Sequence, residues 1–347
     1  MKFLYSILLV LFCGCKSIGN TGELYEMFSK TDTLNLIKEF RFEDDSLGRV
    51  EGIWCEGKNL IIYDVFEDYC YSKYDALTGH CLTRFGKIGE GPGEILLGEY
   101  GILKDKYLYV FNDQMKKVQK VSVDSIKRRN IPFSNVLKYT IDGAQFSKLI
   151  PVNDSVFIGA GHYKLDKQFV LFDKNSKVLD SAIDVYNKNF EINDFFKFLS
   201  NQGVFVKNPC SSKFAYSVNF SSNIDFLRIE NNQIQHVKSL RFENPKYDLI
   251  DENGTLFRAI PSRDANVEYV NICSDSQYVY ALFSNNKLYS NWRKSNIVLI
   301  FDWEGNAIKK CVLDKDAYYI AVSEELNKMF AVVKNDNAGW SVACYEL

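Results

Sequence analysis

Histidine is nearly missing from this chain, with only His80, His162 and His236 in 347 residues. No Cys/His cluster has ligand spacing, so a zinc module has nothing to build on and no metal or cofactor is expected. Proline is scarce, at 6, which excludes a proline-rich linker protein. A basic excess is missing too: 42 Lys and Arg stand against 44 Asp and Glu, for a formal charge of -2. General nucleic-acid binding needs a surplus of cations to neutralise phosphates, so nucleic acid is not an expected partner. Of the 9 cysteines, no pair has CxxC spacing. The seven beyond Cys15 (Cys55, Cys70, Cys81, Cys210, Cys273, Cys311 and Cys344) are odd in number, so no disulfide framework is indicated. Most lie among apolar strand residues, where cysteine behaves as a small hydrophobe.

Aromatic residues are plentiful: 26 Phe and 21 Tyr, and 15% of the chain with Trp. Together with Val and Ile they favour strands over helices. A hydrophobic fraction of 46% and a charged fraction of 25% are those of an ordinary globular protein. The length allows one large repeat domain or two ordinary ones.

At the amino terminus Lys2 precedes an apolar run, Phe3–Phe12, that ends in Cys13-Gly14-Cys15. A positive start and a run too short to span a bilayer read as an export signal. The cysteine after small residues resembles the acylated cysteine of a bacterial lipoprotein signal, which implies cleavage before Cys15 and lipidation there. Phe12 departs from the usual leucine of that pattern. Residues 1–15 are therefore expected to be a signal ending at the lipidated Cys15. Residues 16–33, mostly polar, are expected to be a flexible tether. Residues 34–347 are expected to be the folded domain.

That domain repeats. An apolar run, a turn acid and a second run recur at Tyr71–Phe85, Phe169–Ile183 and Ile297–Leu313, with weaker copies elsewhere. The turn acids are Asp75, Asp124, Asp173, Glu230, Asp302 and Glu346, so the spacing runs from 44 (302 to 346) to 72 (230 to 302). This brackets the ~40–50-residue period of propeller blades. A second hairpin precedes each copy, for instance Gly52–Cys55 turning into Leu60–Tyr63 and Tyr269–Cys273 turning into Tyr278–Phe283. On that alignment Cys55 and Cys273 share a position with Leu103, Val152 and Val322, which reads as blade core. Two hairpins make a four-stranded antiparallel sheet, and six such units predict an all-β, six-bladed β-propeller. The last unit ends after three strands. Leu34–Phe42 can supply the fourth and close the ring by pairing with the carboxy-terminal blade.

One loop is compositionally sharp: Phe85-Gly-Lys-Ile-Gly-Glu-Gly-Pro-Gly-Glu94. It lacks the Lys-Ser/Thr end and the following helix of a phosphate loop. With the preceding Tyr-Asp-Ala-Leu-Thr-Gly hairpin, it resembles the F-G-x-x-G-x-G-P-G-E loop of TolB-like six-bladed propeller lipoproteins. The likeness is closest over residues 59–125. It implies fold, export and lipid anchoring, and carries no catalytic residues.

Turns within each repeat are short and fall on one face of a propeller. The connections Asp64–Tyr69, Lys87–Glu94, Gly161–Lys167, Asn187–Gln202, Asn244–Asn266 and Ser284–Asn296 fall on the other, where binding is expected. Phe66, Tyr69, Tyr163, Tyr289, Trp292 and Arg293 are the candidate ligand or partner residues there, together with Phe195 and Phe196 of a predicted short helix over 191–200. Arg49, Glu51, Glu94, Glu99 and Glu268 flank the starts of first strands and are the candidate channel mouth.

No nucleophile–base pair or paired carboxylates can be assembled from the sequence, so a non-enzymatic binding or scaffold lipoprotein of the cell envelope is expected. It would sit outside the cytoplasm, at an outer membrane, and hold a protein or glycan on its long-loop face. One alternative is a hydrolase or lyase acting on a glycan or peptide, which needs His162 buried in the channel beside two acids. The other is a structural partner of an outer-membrane assembly.

Overall fold

The repeat acids explain themselves in three dimensions. Asp75 turns its carboxylate back onto the backbone N–H groups of Leu77 and Thr78, at 2.9 and 2.8 Å. Asp173 does the same for Asn175 and Lys177, and Asp302 for Glu304 and Asn306. A short acid that caps its own turn is the cheapest way to reverse a strand. Gly79 closes the first of these turns in the left-handed region, at φ +76°. A β-carbon there would stand 2.3 Å from the Phe40 ring.

A computed structural model describes residues 20–41, 47–96, 100–186, 194–252, 255–290, 293–335 and 339–347. The expected signal segment and Cys15 lie outside them. A short helix, α1 (Asn20–Glu26), leads into β1 (Thr31–Thr33) and β2 (Leu36–Arg41). The first sheet holds β3 (Arg49–Glu56), β4 (Asn59–Phe66), β5 (Tyr69–Asp75) and β6 (Cys81–Lys87). The second holds β7 (Tyr100–Lys104), β8 (Tyr107–Asn112), β9 (Lys117–Ser122) and β10 (Ser134–Lys138). The third holds β11 (Gln145–Pro151), β12 (Val156–Tyr163), β13 (Lys167–Asp173) and β14 (Val178–Asp184). After helix α2 (Asp194–Ser200) comes the fourth, β15 (Gly203–Lys207), β16 (Lys213–Val218), β17 (Ile224–Glu230) and β18 (Gln233–Leu240). A separate hairpin follows, β19 (Tyr247–Glu252) and β20 (Thr255–Pro261).

The rest is one eight-stranded sheet: β21 (Asn266–Ser274), β22 (Tyr278–Lys287), β23 (Ser295–Asp302), β24 (Ala307–Ser323), β25 (Lys328–Asn335) and β26 (Gly339–Glu346), with β1 and β2. Six separate four-stranded sheets were expected; four are separate among the described residues. The physical reason is β24, whose 17 residues run unbroken from one unit into the next. Its Ala307–Val312 part pairs with β23 and its Ala317–Ser323 part with β25. The hairpin β19–β20 is also more structure than the expected plain connection over Asn244–Asn266.

The sheets pack face to face through buried seams. Phe85, Tyr71, Val110 and Phe133 join the first and second sheets. Phe146, Phe172, Phe205 and Tyr216 bind the third to the second and fourth, with the rings of Phe146 and Phe172 stacked at 5.8 Å. Ala215, Phe226, Phe283 and Phe301 join the fourth sheet to the eight-stranded one. Ile53, Ile62, Phe330 and Val332 join that sheet back to the first. The all-β propeller fold follows from this arrangement of seams.

The expected tether is corrected over its described part. Leu24 and Phe28 are buried against the fourth-sheet seam, and Phe28 meets Phe301 edge to face at 5.2 Å. β1 pairs in parallel with β24 from Thr31 to Thr33. The polar composition hid these apolar contacts, which are spaced as one face of a short helix and its continuation.

β2 runs antiparallel to β26 from Leu36 to Arg41. Its Glu39 accepts hydrogen bonds from Lys315 Nζ at 2.6 Å, and from Asn335 Nδ2 and Ser341 Oγ at 2.7 Å each. Burial pushes this carboxyl up, but the three donors and the Lys315 charge outweigh it and hold the pKa at about 2, below the ordinary 4.5. The folded-state pKa is the depressed one, so the stabilisation is full above about pH 4.5 and is lost as pH falls towards 2. Glu39→Gln is expected to cost about 2 kcal/mol at pH 7, less than the whole shift implies because water screens part of the group. Urea titrations of both proteins should show that gap narrowing below about pH 4.5.

Candidate functional site

Each inner strand presents one edge to the propeller axis, and the strands cannot all meet there. They leave a central channel with a cavity of about 630 Å³. Its wall comes from β3, β7, β11, β15, β21 and the second part of β24. Trp54, Phe205, Phe220, Tyr318 and Tyr319 supply aromatic surface, while Lys148, Asn219 and Asn271 supply polar groups. The volume and the mixture suit a small molecule.

Hydrogen bonds within and between the sheets tie the wall together. Asn271 Oδ1 accepts from the Ile320 N–H at 3.0 Å, which ties β21 to β24. Ser323 Oγ donates to the Gly57 carbonyl at 3.2 Å, across to the first sheet. Ser274 Oγ donates to the Lys207 carbonyl at 3.2 Å. Lys207 Nζ donates to the carbonyls of Asn208 and Ser211, both at 2.8 Å. Burial pulls Lys207 down to about 8, with the nearby Lys104 charge adding to it. Burial likewise pulls Lys148 down to about 8.

Cys55 and Cys273, expected in the blade core, do pack against it, and both also border the channel as free thiols. Burial pushes Cys55 up to about 12 and Cys273 well above its ordinary value, so neither is a ready thiolate at neutral pH. The same register position faces the axis at its inner edge, which alternation alone does not separate from the seam.

The residues expected on the long-loop face are dispersed. Phe66 lies under the Arg84 guanidinium at 4.0 Å, and Arg84 is itself buried with Asp64 at 3.1 Å. Burial raises Asp64 to about 6, partly offset by Ser72 and Arg84. Tyr69 donates its hydroxyl to Asn130 Oδ1 at 3.2 Å. The connection Asp64–Tyr69 proves to be a two-residue turn, since Phe66 pairs with Tyr69. Tyr163 packs against the third-sheet core. Tyr289 is 69% exposed. Among the described residues of this set, only Arg293 lines the channel. Trp292 lies outside the described residues. Helix α2 forms where expected, from Asp194, with Phe196 buried and Phe195 half exposed.

Of the expected mouth residues, Glu51 lines the channel and Arg49 pairs with it at 2.7 Å. Glu51 also accepts from the Tyr319 hydroxyl at 3.4 Å. Glu268 is fully buried and is not part of the channel wall; its charge, after burial itself, raises the Tyr25 and Tyr269 phenols. Glu99 lies outside the described residues. Glu94 is corrected: it folds back within its own loop, accepting from Lys87 Nζ at 2.8 Å and from the Gly91 N–H at 2.9 Å. Lys87 and then Gly91 hold its carboxyl below the usual range. The glycine-rich loop is thus a clasp between the first and second sheets, with Phe133 N–H donating to the Gly93 carbonyl at 3.0 Å.

His162 is buried beside Asp166 and Asp194, with Nε2 at 3.2 and 3.8 Å from their oxygens. These three donors lie within 4.8 Å of one another and form the one potential metal-ligand group among the described residues. Lys197 Nζ already sits 2.8 Å from the same Asp166 oxygen. The trio is not part of the channel wall, so it does not meet the geometry a channel-based hydrolase requires. Among the described residues, no helix is long and apolar enough to cross a membrane.

The family model described as TolB-like 6-blade propeller-like matches residues 53–325. No curated protein matches the sequence. Among solved structures, a Bacteroides fragilis protein described as exported aligns at 13% identity and TM-score 0.53, covering 91% of this chain and 98% of its own. The Cps50 (Swd1) β-propeller domain of Myceliophteria thermophila aligns at 9% identity and TM-score 0.52, covering 90% and 99%. A DUF4221 family member from Bacteroides vulgatus aligns at 10% identity and TM-score 0.50, covering 90% and 97%. At such identities these likenesses concern the fold.

The clasp makes a direct prediction. Gly93 has φ +78°, and a β-carbon there would stand 2.5 Å from Pro132 Cβ, whereas Gly339, at φ +73°, would meet nothing within 4 Å. Gly93→Ala is expected to cost about 2–3 kcal/mol and Gly339→Ala about 1 kcal/mol, measured as urea midpoints.

Proposed function

The chain belongs to the TolB-like 6-blade propeller-like family, and from that premise we propose that it is an exported, lipid-anchored propeller that binds a small molecule in its central channel without transforming it. On this reading the eight-stranded sheet is two blades that share β24, which brings the count to six. β2 is then the outermost strand of the last blade and closes the ring. Cys15 carries the acyl chains that hold the protein in the cell envelope. Eight residues lie between Cys15 and the docked Leu24, and a chain of nine steps reaches at most ~30 Å even when fully extended. The propeller edge beside β24 would therefore stay close to the membrane.

The observation that carries the binding role is the channel itself. Its cavity of about 630 Å³ is walled by rigid inner strands from around the whole ring and lined with aromatic rings. Rigid, concave, partly apolar walls are what small-ligand sites share. A non-catalytic role is supported by where the histidine trio sits, since it is outside the channel and Lys197 engages Asp166. A second reading, a protein or glycan held on the outer face, is favoured by Tyr289 and Phe195, at 69% and 50% exposure.

Two experiments test this. The uncharged fluorophore N-phenylnaphthylamine should bind saturably with one equivalent. Val204→Trp, which fills the channel, should weaken it about tenfold or more, while Tyr289→Ala leaves it unchanged. The reverse pattern would move the site to the outer face and overturn the channel reading. Separately, the wild-type protein should incorporate radiolabelled palmitate and fractionate with membranes. Cys15→Ser should lose both, and retained label in that variant would refute the anchor.

A further inference from the structure

Outside the channel, one imidazole faces two carboxylates. His162, near the end of β12, is 3% exposed, and its Nε2 lies 3.2 Å from an Asp166 oxygen and 3.8 Å from an Asp194 oxygen. The three donors come from three segments: the strand β12, the turn into β13 and the first residue of helix α2. That turn holds Leu165 and Asp166 in the left-handed region, at φ +59° and +57°. Two such residues in succession cost energy, and they bring Asp166 back to His162. Directly across from His162 on β11 stands Gln145. Paired residues of an antiparallel ladder send their side chains to the same face. Gln145 Oε1 is buried without a hydrogen-bond donor, and a buried acceptor of this kind calls for a donor or a cation.

The donor set selects the ion. One imidazole with two or three oxygens suits zinc and its first-row neighbours. Calcium takes about six to eight oxygens, and magnesium keeps to carboxylates and water. Bonds in a tetrahedral zinc site put neighbouring ligands about 3.4 Å apart, and the two distances from Nε2 bracket that value. The Lys197 ammonium, 2.8 Å from the same Asp166 oxygen, balances one negative charge where a dication would balance two. The Asp194 side chain is 73% exposed, so an ion can reach the trio from solvent.

We propose that His162, Asp166 and Asp194, with Gln145 Oε1 as a fourth donor, bind one divalent transition-metal ion of the zinc type, and that this ion fastens helix α2 to the third sheet. Binding displaces Lys197 from Asp166, so the ammonium and the ion compete for one carboxylate. The role is structural. The trio is not part of the channel wall, and α2 packs on β11, β12 and β20, with the Tyr247 hydroxyl donating to its Leu199 carbonyl at 2.8 Å. An ion that bridges strand, turn and helix adds its binding free energy to the stability of that arrangement.

Cobalt(II) stands in for zinc and reports its ligands by visible absorption. The wild-type protein should bind one equivalent with a ligand-field band and no thiolate charge-transfer band, which separates the trio from the cysteines, and zinc should bleach that band. His162→Gln and Asp194→Asn should each weaken cobalt at least about tenfold. Asp194→Asn changes an exposed side chain and should keep the metal-free urea midpoint, so the result stands even where His162→Gln fails to fold. Lys197→Met should tighten cobalt about tenfold, because the competing charge is gone; a purely structural Lys197–Asp166 pair would instead lower the urea midpoint and leave cobalt affinity alone. Cobalt should raise the wild-type urea midpoint and leave that of Asp194→Asn where it was. No binding, a thiolate band, or cobalt affinity indifferent to both His162→Gln and Asp194→Asn would mean an adventitious ion only and overturn the site.

Discussion

Face-to-face packing of short antiparallel sheets is the constraint from which the rest of this protein follows. Each sheet has two apolar faces and must bury both. The aromatic seams do this: Phe133 on Tyr71, Phe169 on Phe205, Phe226 on Phe301. Sheets that twist cannot stack indefinitely, so they turn about an axis until the last meets the first. The seam of Ile53 and Ile62 with Phe330 and Val332 is where that meeting occurs. Inner strands then converge without touching, and the channel is the geometric remainder.

Polar chemistry is fitted around this apolar frame in two ways. Some charged groups work inside the structure, such as Glu39 with its three donors on β2 and Arg84 with Asp64 in the first sheet. A buried pair of this kind fixes a unique arrangement more than it adds stability. Others line the channel around the axis, as Glu51 and Lys148 do.

Much of the architecture was legible from residues alone. Asp75, Asp173 and Asp302 marked their hairpins because a carboxylate two to four residues from backbone N–H groups can cap them wherever the turn lies. The apolar runs on either side declared strands through their alternation. The glycine-rich loop announced a special conformation, and Gly93 beside Pro132 shows why. What alternation could not show was which edge of an inner strand faces the axis, so the channel side of the core residues Cys55 and Cys273 stayed hidden. Nor could it show that β24 runs unbroken between units, or that Leu24 and Phe28 dock instead of trailing in a tether.

The chain by itself determined the strands, their turns, the repeat and the kinship, because these depend on neighbours within a few residues or on a pattern that recurs. Only the tertiary structure assembled the channel wall. Trp54, Lys148, Phe205, Asn271 and Tyr319 are separated by tens to hundreds of positions, and they share a cavity solely because the sheets turn about one axis. Proximity across a ring is a property of closure, and no local pattern encodes it.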